Sequence, residues 1–506
     1  MRTLPLKKLC DEYRMTRLTM KTYIRMIFVT LLLWRVSYAN PVDIDLPEIG
    51  DSAGTLISPQ QEYRIGQAYF WRLQQSVNLV DDPEVNSYLS KLGQRLVMYS
   101  TRPSLSFKFF IVANRGVNAF AAPGGFIGIN TGLLLTSQTE DELASVLAHE
   151  ISHVTQRHLI RSLEKNNQSS LPKTAAMIAT LLLAATDPQA GIAAMTVLQA
   201  SGVQARIDHT RAHEAEADNL GMLNLVKSGF DAQAMPTFFE RLQESSRFNK
   251  GKAVPEFLRT HPVTTSRIAE ARGRAATYRL KIQQRDKLQF YLMREKLRVL
   301  STTNLRELKR YYQAAIEDGN YRNIKAVRYG LSLVMSAMGD YRQAMAELKK
   351  LIVLDEERLS YQLAMADIAI ARGHVTKALN IYQTNQKIFP NNEALTIKQV
   401  AALLQSGFPA QGGKLLLRQL EIGNESSQIY KLLAQTSGDM GNISDAHGWL
   451  AEYYYSAGRI KQSVSQLKLA VKASKGNQYQ LAKFNARLQD MEATLVRLEE
   501  LGLKND

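Results

Sequence analysis

The pattern of apolar and polar positions changes character along the chain, and each change predicts a different kind of element. Val85, Leu89, Leu92 and Leu96 recur at helical spacing between Asp82-Pro83 and Tyr99, which predicts an amphipathic helix entered through a proline in its first turn. An earlier helix is expected to begin near Ser58-Pro59, where Ser58 can cap. The period then shortens. Phe107-Lys108-Phe109-Phe110-Ile111-Val112 is strand-like, and Asn118 to Asn130 forms two short extended pieces around the turn Pro123-Gly124-Gly125. A small sheet is therefore expected ahead of another helix, whose entry is assigned to Ser137 through Glu142, an S-x-x-E capping pattern of Ser137 and Glu140. Along that helix Leu143, Val146, Leu147, Ile151 and Val154 make an apolar stripe, which predicts burial.

From about residue 300 the pattern is helical throughout, and it repeats. Gly339, Gly373, Gly407 and Gly441 are spaced by 34, and five residues after each comes a small residue: Ala344, Ala378, Gly412, Ala446. Glycine ends one helix and the small residue lets the next pack closely, so this period predicts stacked helical hairpins. Gly458 follows Gly441 by only 17 residues, so one helix is expected to serve two neighbouring hairpins. The stretch Ala378 to Asn392, with Pro390 near its end, resembles a tetratricopeptide repeat. Residues 300–506 are thus expected to be an all-α tetratricopeptide solenoid.

Composition adds boundaries. With 45% hydrophobic and 22% charged residues the chain is far from disordered composition, and 506 residues exceed a single core, so several domains are expected. Lys21 to Arg25 is basic, Met26 to Trp34 is an apolar run too short to span a bilayer, and Ser37-Tyr38-Ala39 has a small-x-small cleavage pattern. Residues 1–39 therefore read as an export leader, with Met15, Met20 and Met26 as alternative starts, and 40–57 as an extended acidic arm. The single cysteine, Cys10, falls in that leader, so any metal site must use histidine and carboxylate. The net charge of +16 falls to +10 without residues 1–39 and is spread over the second half, at Arg306, Lys309 and Arg328 among others. Such a surface is compatible with peripheral contact with anionic lipid, while no nucleic-acid motif is present. Thr174 to Thr186 is strongly apolar, but Asp187-Pro188 breaks it. Residues 174–203 are read as buried helices, with a lid or membrane-facing insert as the functional alternative.

The chemistry concentrates between 149 and 261, which holds six of the eight histidines. In His149-Glu150-Ile151-Ser152-His153 the two histidines lie four apart on one helical face, close enough to hold one Zn²⁺. Glu150 is the expected general base and later proton donor to the leaving amine. A third ligand is required. In the stretch His209 to Gly221, Glu214 can ligate while Asp218, four residues on, reaches a neighbouring histidine. Glu216 is expected to be solvated, and His209 and His213 are rival ligands for which surface roles are expected. Gly125, Phe126 and Ile127 are the expected substrate-binding residues, with the strand around Gly124 to Asn130 pairing with substrate backbone.

These elements, HEISH, then Thr210-Arg211-x-x-Glu214-x-x-Ala217-Asp218-x-x-Gly221, then Thr260-His261-Pro262 with Ser266-Arg267, resemble the gluzincin metallopeptidases that include the CAAX prenyl protease and the HtpX-type heat-shock protease. The resemblance covers about 55–275 and includes the stretch Asn118 to Leu134 ahead of the HExxH helix; Thr210 stands where the family usually has serine. It implies one zinc ion per chain held by His149, His153 and Glu214, with Glu150 and Asp218 in catalysis and His261 as a further ligand or gate. It implies a zincin-type α+β metallopeptidase domain over 58–290 in a mainly α chain. Together with the leader and the solenoid, it implies a periplasmic branch of the family in quality control of outer-membrane β-barrel proteins, with chaperone-like activity and the solenoid engaging the assembly machinery. A non-proteolytic assembly factor with a dormant zinc site, and an integral membrane protease, are the rival readings. Because repeat stacks are largely self-contained and their concave faces are binding surfaces, deletion of 300–506 is expected to leave the zinc domain able to bind metal but unable to find its partners.

Overall fold

A computed structural model describes residues 57–166, 203–248, 256–278 and 286–500. The expected leader, nearly all of the acidic arm and the apolar insert ahead of Val203 lie outside the described residues. Helix α1, Pro59–Ser76, starts at a reciprocal cap: the Gln61 amide donates to Ser58 Oγ at 3.2 Å, and the Ser58 amide to Gln61 Oε1 at 2.8 Å. Helix α2, Pro83–Val97, is capped by Asp82, whose Oδ1 accepts from the Glu84 and Val85 amides.

Three strands follow, β1 (Lys108–Val112), β2 (Ala119–Ala122) and β3 (Phe126–Asn130), in the spatial order β1-β3-β2. β3 runs parallel to β1 and antiparallel to β2, so its backbone is paired on both sides. This overturns its expected role as a substrate-pairing strand. Phe126 and Ile127 are buried against the core, and a Cβ on Gly125 would lie 2.0 Å from the Ser106 carbonyl oxygen. Gly125, Phe126 and Ile127 therefore serve packing, and β2 lies at an edge of the sheet. Gly124, at φ 69°, lets the β2–β3 turn lie against α1, where a Cβ would come within 2.4 Å of Tyr63 Cα.

A short helix absent from the sequence reading, α3 (Thr131–Thr136), leads into α4 (Glu140–Thr155). It displaces the expected cap. Ser137 closes α3, its hydroxyl donating to Leu133 O, whereas Thr139 caps α4 by accepting from the Glu142 amide, and Glu142 in turn accepts from the Gln138 amide. Then come α5 (His158–Asn166), α6 (Val203–Lys227), α7 (Ala234–Phe248), α8 (Glu256–Thr260) and α9 (Thr265–Thr277). α4 and α6 pack at close range because residue 221 is glycine; a Cβ there would lie 3.1 Å from the His149 backbone.

The remaining helices are α10 (Leu288–Leu300), α11 (Leu305–Glu317), α12 (Ile324–Ala337), α13 (Tyr341–Ile352), α14 (Leu359–Ala371), α15 (Val375–Ile388), α16 (Glu393–Gln405), α17 (Pro409–Glu421), α18 (Ser427–Asp439), α19 (Ile443–Ser456), α20 (Ile460–Ala473) and α21 (Gln478–Glu500). Gly339, Gly373, Gly407 and Gly441 all turn with φ between 77° and 83°, in open space, so backbone conformation alone requires glycine there. Ala344, Ala378 and Gly412 are buried at the helix crossings, but Ala446 is only partly buried. Across that hairpin Ala446 faces Gly438 of α18, whereas Gly448 of α19 takes a closer approach from outside the hairpin, with Phe484 of α21 packed directly against it. α19 lies between Gly441 and Gly458 and packs on both α18 and α20, so it serves two hairpins.

The repeats are not a separate body. One apolar core runs from Leu89, Leu147 and Phe238 through Leu292 and Met293 of α10 into Tyr312, Tyr329 and Tyr361. A second joins Phe70, Trp71 and Leu73 of α1, and Phe110 and Phe126 of the sheet, to Ile460, Phe484 and Met491. Within the first junction Lys296 of α10 is buried, 2.7 Å from Glu84 and 3.0 Å from Asp82. Burial works against every charge here, but the Lys296 ammonium still holds the Asp82 carboxyl below the usual range, and both carboxylates hold Lys296 above it. The depressed carboxylate stabilises the fold at neutral pH and loses that contribution as pH falls through its lowered value. The raised lysine contributes below the ordinary lysine range and loses its contribution as pH rises through its elevated value. Lys296→Met is expected to cost about 3–5 kcal/mol at pH 7 by leaving the buried Glu84 carboxylate, and the half-buried Asp82 beside it, without their cation. Without the ammonium the affinity of Asp82 for protons rises, so the variant should regain part of the loss near pH 5, as denaturant melts at both pH values will check.

Candidate metal centre

The centre is assembled from four elements. α4 supplies His149, Glu150 and His153, α6 supplies Glu214 and Asp218, the residue after α8 is His261, and α9 supplies Arg267. One ligand atom from each of His149, His153, Glu214 and His261 lies within 4.8 Å of the others. Nε2 of His149 is 3.0 Å from Nε2 of His153, 3.4 Å from Nδ1 of His261 and 3.5 Å from Oε2 of Glu214. Oε1 of Glu214 lies 3.4 Å from His153 Nε2 and 2.9 Å from His261 Nδ1.

This donor set fits zinc. Imidazole lone pairs and a carboxylate converging on one point repel one another unless a cation or protons lie between them. In a tetrahedron with metal–nitrogen bonds of about 2.0–2.1 Å the ligand atoms are separated by roughly 3.3–3.4 Å, close to the spacing here. The set is buried as well: His149 and Glu150 are each 1% exposed. Burial disfavours charge on His149, but Asp218 and Glu214 outweigh it and push the imidazole up to about 10. Burial, with the neighbouring His149 and His261 adding to it, holds His153 down to about 3 despite its contact with Glu214. Burial would raise the Glu214 carboxyl, yet the three histidines hold it far below the usual carboxylate range.

Asp218 and Glu150 take different positions. Asp218 Oδ1 lies 3.0 Å from Nδ1 of His149, the nitrogen facing away from the cluster. Arg267 grips Asp218 with Nε and NH2 at 2.8 Å each, and its NH1 lies 2.9 Å from Glu214 Oε2, so one guanidinium fixes both carboxylates. Glu150 is outside the donor set. Its Oε1 is buried without a hydrogen-bond partner, 3.6 Å from His261 Nε2, and burial lifts its carboxyl above the ordinary range. Glu150, His153 and His261 all face a cleft of about 230 Å³ that is also lined by Phe120, Ala121 and Ala122 of β2.

Several sequence expectations change here. His213 is buried, its ring stacked on His158 at 4.2 Å, and Glu216 accepts from His158 and Arg161 instead of standing free in solvent. The His209 side chain lies outside the described residues. The sequence alone assigns no role to Arg267 or His158. The only sequence signal for Arg267 was its place after Thr260-His261-Pro262, and for His158 its position five residues after His153.

The pattern of peptidase family M48 matches residues 83–275. Beta-barrel assembly-enhancing protease of Escherichia coli K12 is 34% identical over 463 residues, 92% of this chain and 94% of that one. The chain belongs to peptidase family M48. Its M48 region is that of a zinc-dependent metalloprotease, followed by a tetratricopeptide-type helical stack. A putative beta-barrel assembly-enhancing protease of Vibrio cholerae is 33% identical over 79% of this chain and 83% of that one. The mitochondrial metalloendopeptidase OMA1 of Arabidopsis thaliana shares 29% identity over 184 residues, 36% of this chain and 35% of its own length, so that likeness is confined to part of each protein.

Proposed function

We propose that this chain is a periplasmic zinc endopeptidase that acts on unfolded or misassembled outer-membrane β-barrel proteins and contacts their assembly machinery through the repeats. The observation that carries the peptidase is the convergence of His149, His153, Glu214 and His261 beside a buried Glu150 whose Oε1 accepts no hydrogen bond. The client class and compartment are supported by the near full-length likeness to beta-barrel assembly-enhancing proteases and by the leader pattern of residues 1–39. Among the described residues no helix is long and apolar enough to cross a membrane. In this reading 1–39 is the leader, 40–57 an arm, 58–290 the metallopeptidase part and 300–506 the solenoid, the last two sharing their cores.

His149, His153 and Glu214 would hold the zinc, which when bound acts as a Lewis acid toward the scissile carbonyl and lowers the pKa of water. Glu150 takes the proton of the attacking water and returns it to the departing amine. Asp218, held by Arg267, keeps the His149 ring in the tautomer whose Nε2 lone pair points into the centre. The outer edge of β2, beside the cleft, suits an extended client segment that adds as a further strand. Metal analysis and casein hydrolysis of the purified chain, with and without chelator, test the reading; a chain that cannot be loaded with zinc would sink it.

His261 fills the fourth corner of the donor set, where it excludes a water, and so acts as a gate at rest. Thr260-His261-Pro262 follows directly on α8, so a small movement of that helix withdraws the imidazole. His261→Ala is expected to raise basal casein hydrolysis and self-cleavage while zinc stays bound by the remaining three ligands. A fall in hydrolysis with zinc retained would instead assign His261 to stabilising the transition state.

A further inference from the structure

The two α4 histidines turn their second nitrogens toward different partners. Nδ1 of His149 faces Asp218, a carboxylate, whereas Nδ1 of His153 lies 2.8 Å from Nδ1 of another imidazole, His158. Nε2 of His158 lies 3.0 Å from Glu216 Oε2, which also accepts from Arg161 at 3.1 Å. His158 is 3% exposed, and its ring is stacked parallel to that of His213, 5° apart in plane.

A continuous helix cannot produce this contact. Residues five apart on an α-helix point about 140° away from each other. The helix breaks at Arg157, which has φ 53° and is the only non-glycine among the described residues with positive φ. α4 ends before it and α5 restarts at His158, folding that ring back over His153. Left-handed backbone at a residue with a Cβ is disfavoured, and here it is held from outside. Arg157 Nε donates to Glu62 Oε2 at 2.9 Å and NH2 to the Ile57 carbonyl at 2.7 Å, so the N-terminal end of α1 clamps the break.

Proton placement then follows from donor and acceptor counting. If His153 presents a lone pair at Nε2 to the centre, its proton is on Nδ1 and is donated to His158 Nδ1. That leaves the His158 proton on Nε2, where Glu216 accepts it. From this geometry we infer that His158 is a positioning residue for the metal ligand His153. It fixes the tautomer and ring orientation of His153 as Asp218 does for His149, with Glu216 anchoring the relay and the Arg157 turn setting its register. This inference rests on the metal site proposed above. It adds a relay made of imidazole and carboxylate in series, built on a helix break.

The test measures Zn²⁺ affinity of the full chain by competition with a chromophoric chelator, together with the visible spectrum of the Co²⁺-substituted protein. His158→Ala is expected to weaken zinc by about 10- to 100-fold and to shift the cobalt bands. In His158→Asn the amide oxygen can accept from His153 Nδ1, so affinity should return to within roughly threefold of the parent. Parental affinity and an unshifted cobalt spectrum in His158→Ala would overturn the relay. So would equal weakening in both variants, since that makes ring packing on His213 the cause. A parent chain that binds no zinc would remove the metal site itself and the relay with it, a result read in a separate arm of the same titration.

Discussion

Glu150→Gln is expected to lower peptide-bond hydrolysis by about 10²- to 10⁴-fold while bound zinc stays at the parental level. The two halves of that result have separate causes. Glutamine matches the volume of a side chain that is 1% exposed, so the packing of α4 is kept, and Glu150 is not among the four side chains whose ligand atoms converge. What is lost is a group that can accept a proton and give it back. Casein hydrolysis and zinc stoichiometry on one preparation read both halves, and hydrolysis near the parental rate would end the assignment of Glu150. His149→Ala should behave oppositely, losing the metal and hydrolysis together, because a buried donor is removed. If Glu150→Gln still supports outer-membrane protein assembly in cells lacking the parent chain, a binding activity of the repeats exists apart from proteolysis.

The sequence spoke most clearly where a local spacing has one physical meaning. Histidines four apart must share a helix face, and glycines at a 34-residue period must close helices in the left-handed region, so the HExxH face and the stack were legible without tertiary information. Asp218 was legible as the partner of a neighbouring histidine for a similar reason, since it lies one helical turn from Glu214, but that this histidine is His149 follows only from the packing of α4 on α6. The failures come from contacts between segments distant in sequence. Strand order cannot be read from a hairpin-like pattern, and β1 pairing in parallel with β3 turned the expected substrate strand into the middle of a sheet. The S-x-x-E pattern at Ser137 was a true helix boundary with the wrong owner, because the unforeseen α3 ends there while Thr139 begins α4.

His158 and Glu216 show a subtler limit. Read on an ideal helix, His158 points away from His153, and Glu216 lies on a different face from Glu214 and Asp218. Only the left-handed residue at 157 reverses the first inference, and arginine carries no local signal for that conformation. Its cause is Glu62 and the Ile57 carbonyl, about a hundred residues earlier in the chain.

Deletion of residues 301–506 is expected to abolish folding of what remains, reversing the expectation drawn from the repeat pattern alone. A solenoid whose repeats touched only their neighbours could be removed at little cost to the rest. Here the cut would open both shared cores. Trp71 packs edge-on against Tyr455 with ring centroids 5.1 Å apart, and its Cβ lies 2.4 Å from where a side chain at Gly458 would begin. Gln75 donates to the Gly458 carbonyl beside it. On the other side Leu292, Met293 and Leu297 of α10 belong to the core that continues into α12 and α14, and Glu295, 3% exposed, accepts from Tyr312. Exposing Trp71, Leu73 and those three α10 side chains would forfeit about 1.5–3 kcal/mol each, a sum comparable to the roughly 5–15 kcal/mol that stabilises a whole domain. A chain ending at residue 300 should therefore be aggregated or lack a cooperative thermal transition, and co-expressing residues 301–506 as a second chain should restore solubility. Because α1 meets the repeats at Trp71 and clamps the Arg157 turn through Glu62, a fold that loses the repeats also loses the support of its metal centre. A soluble monomer ending at residue 300 that melts sharply and binds one zinc would refute this dependence and return the solenoid to the status of an appended binding module.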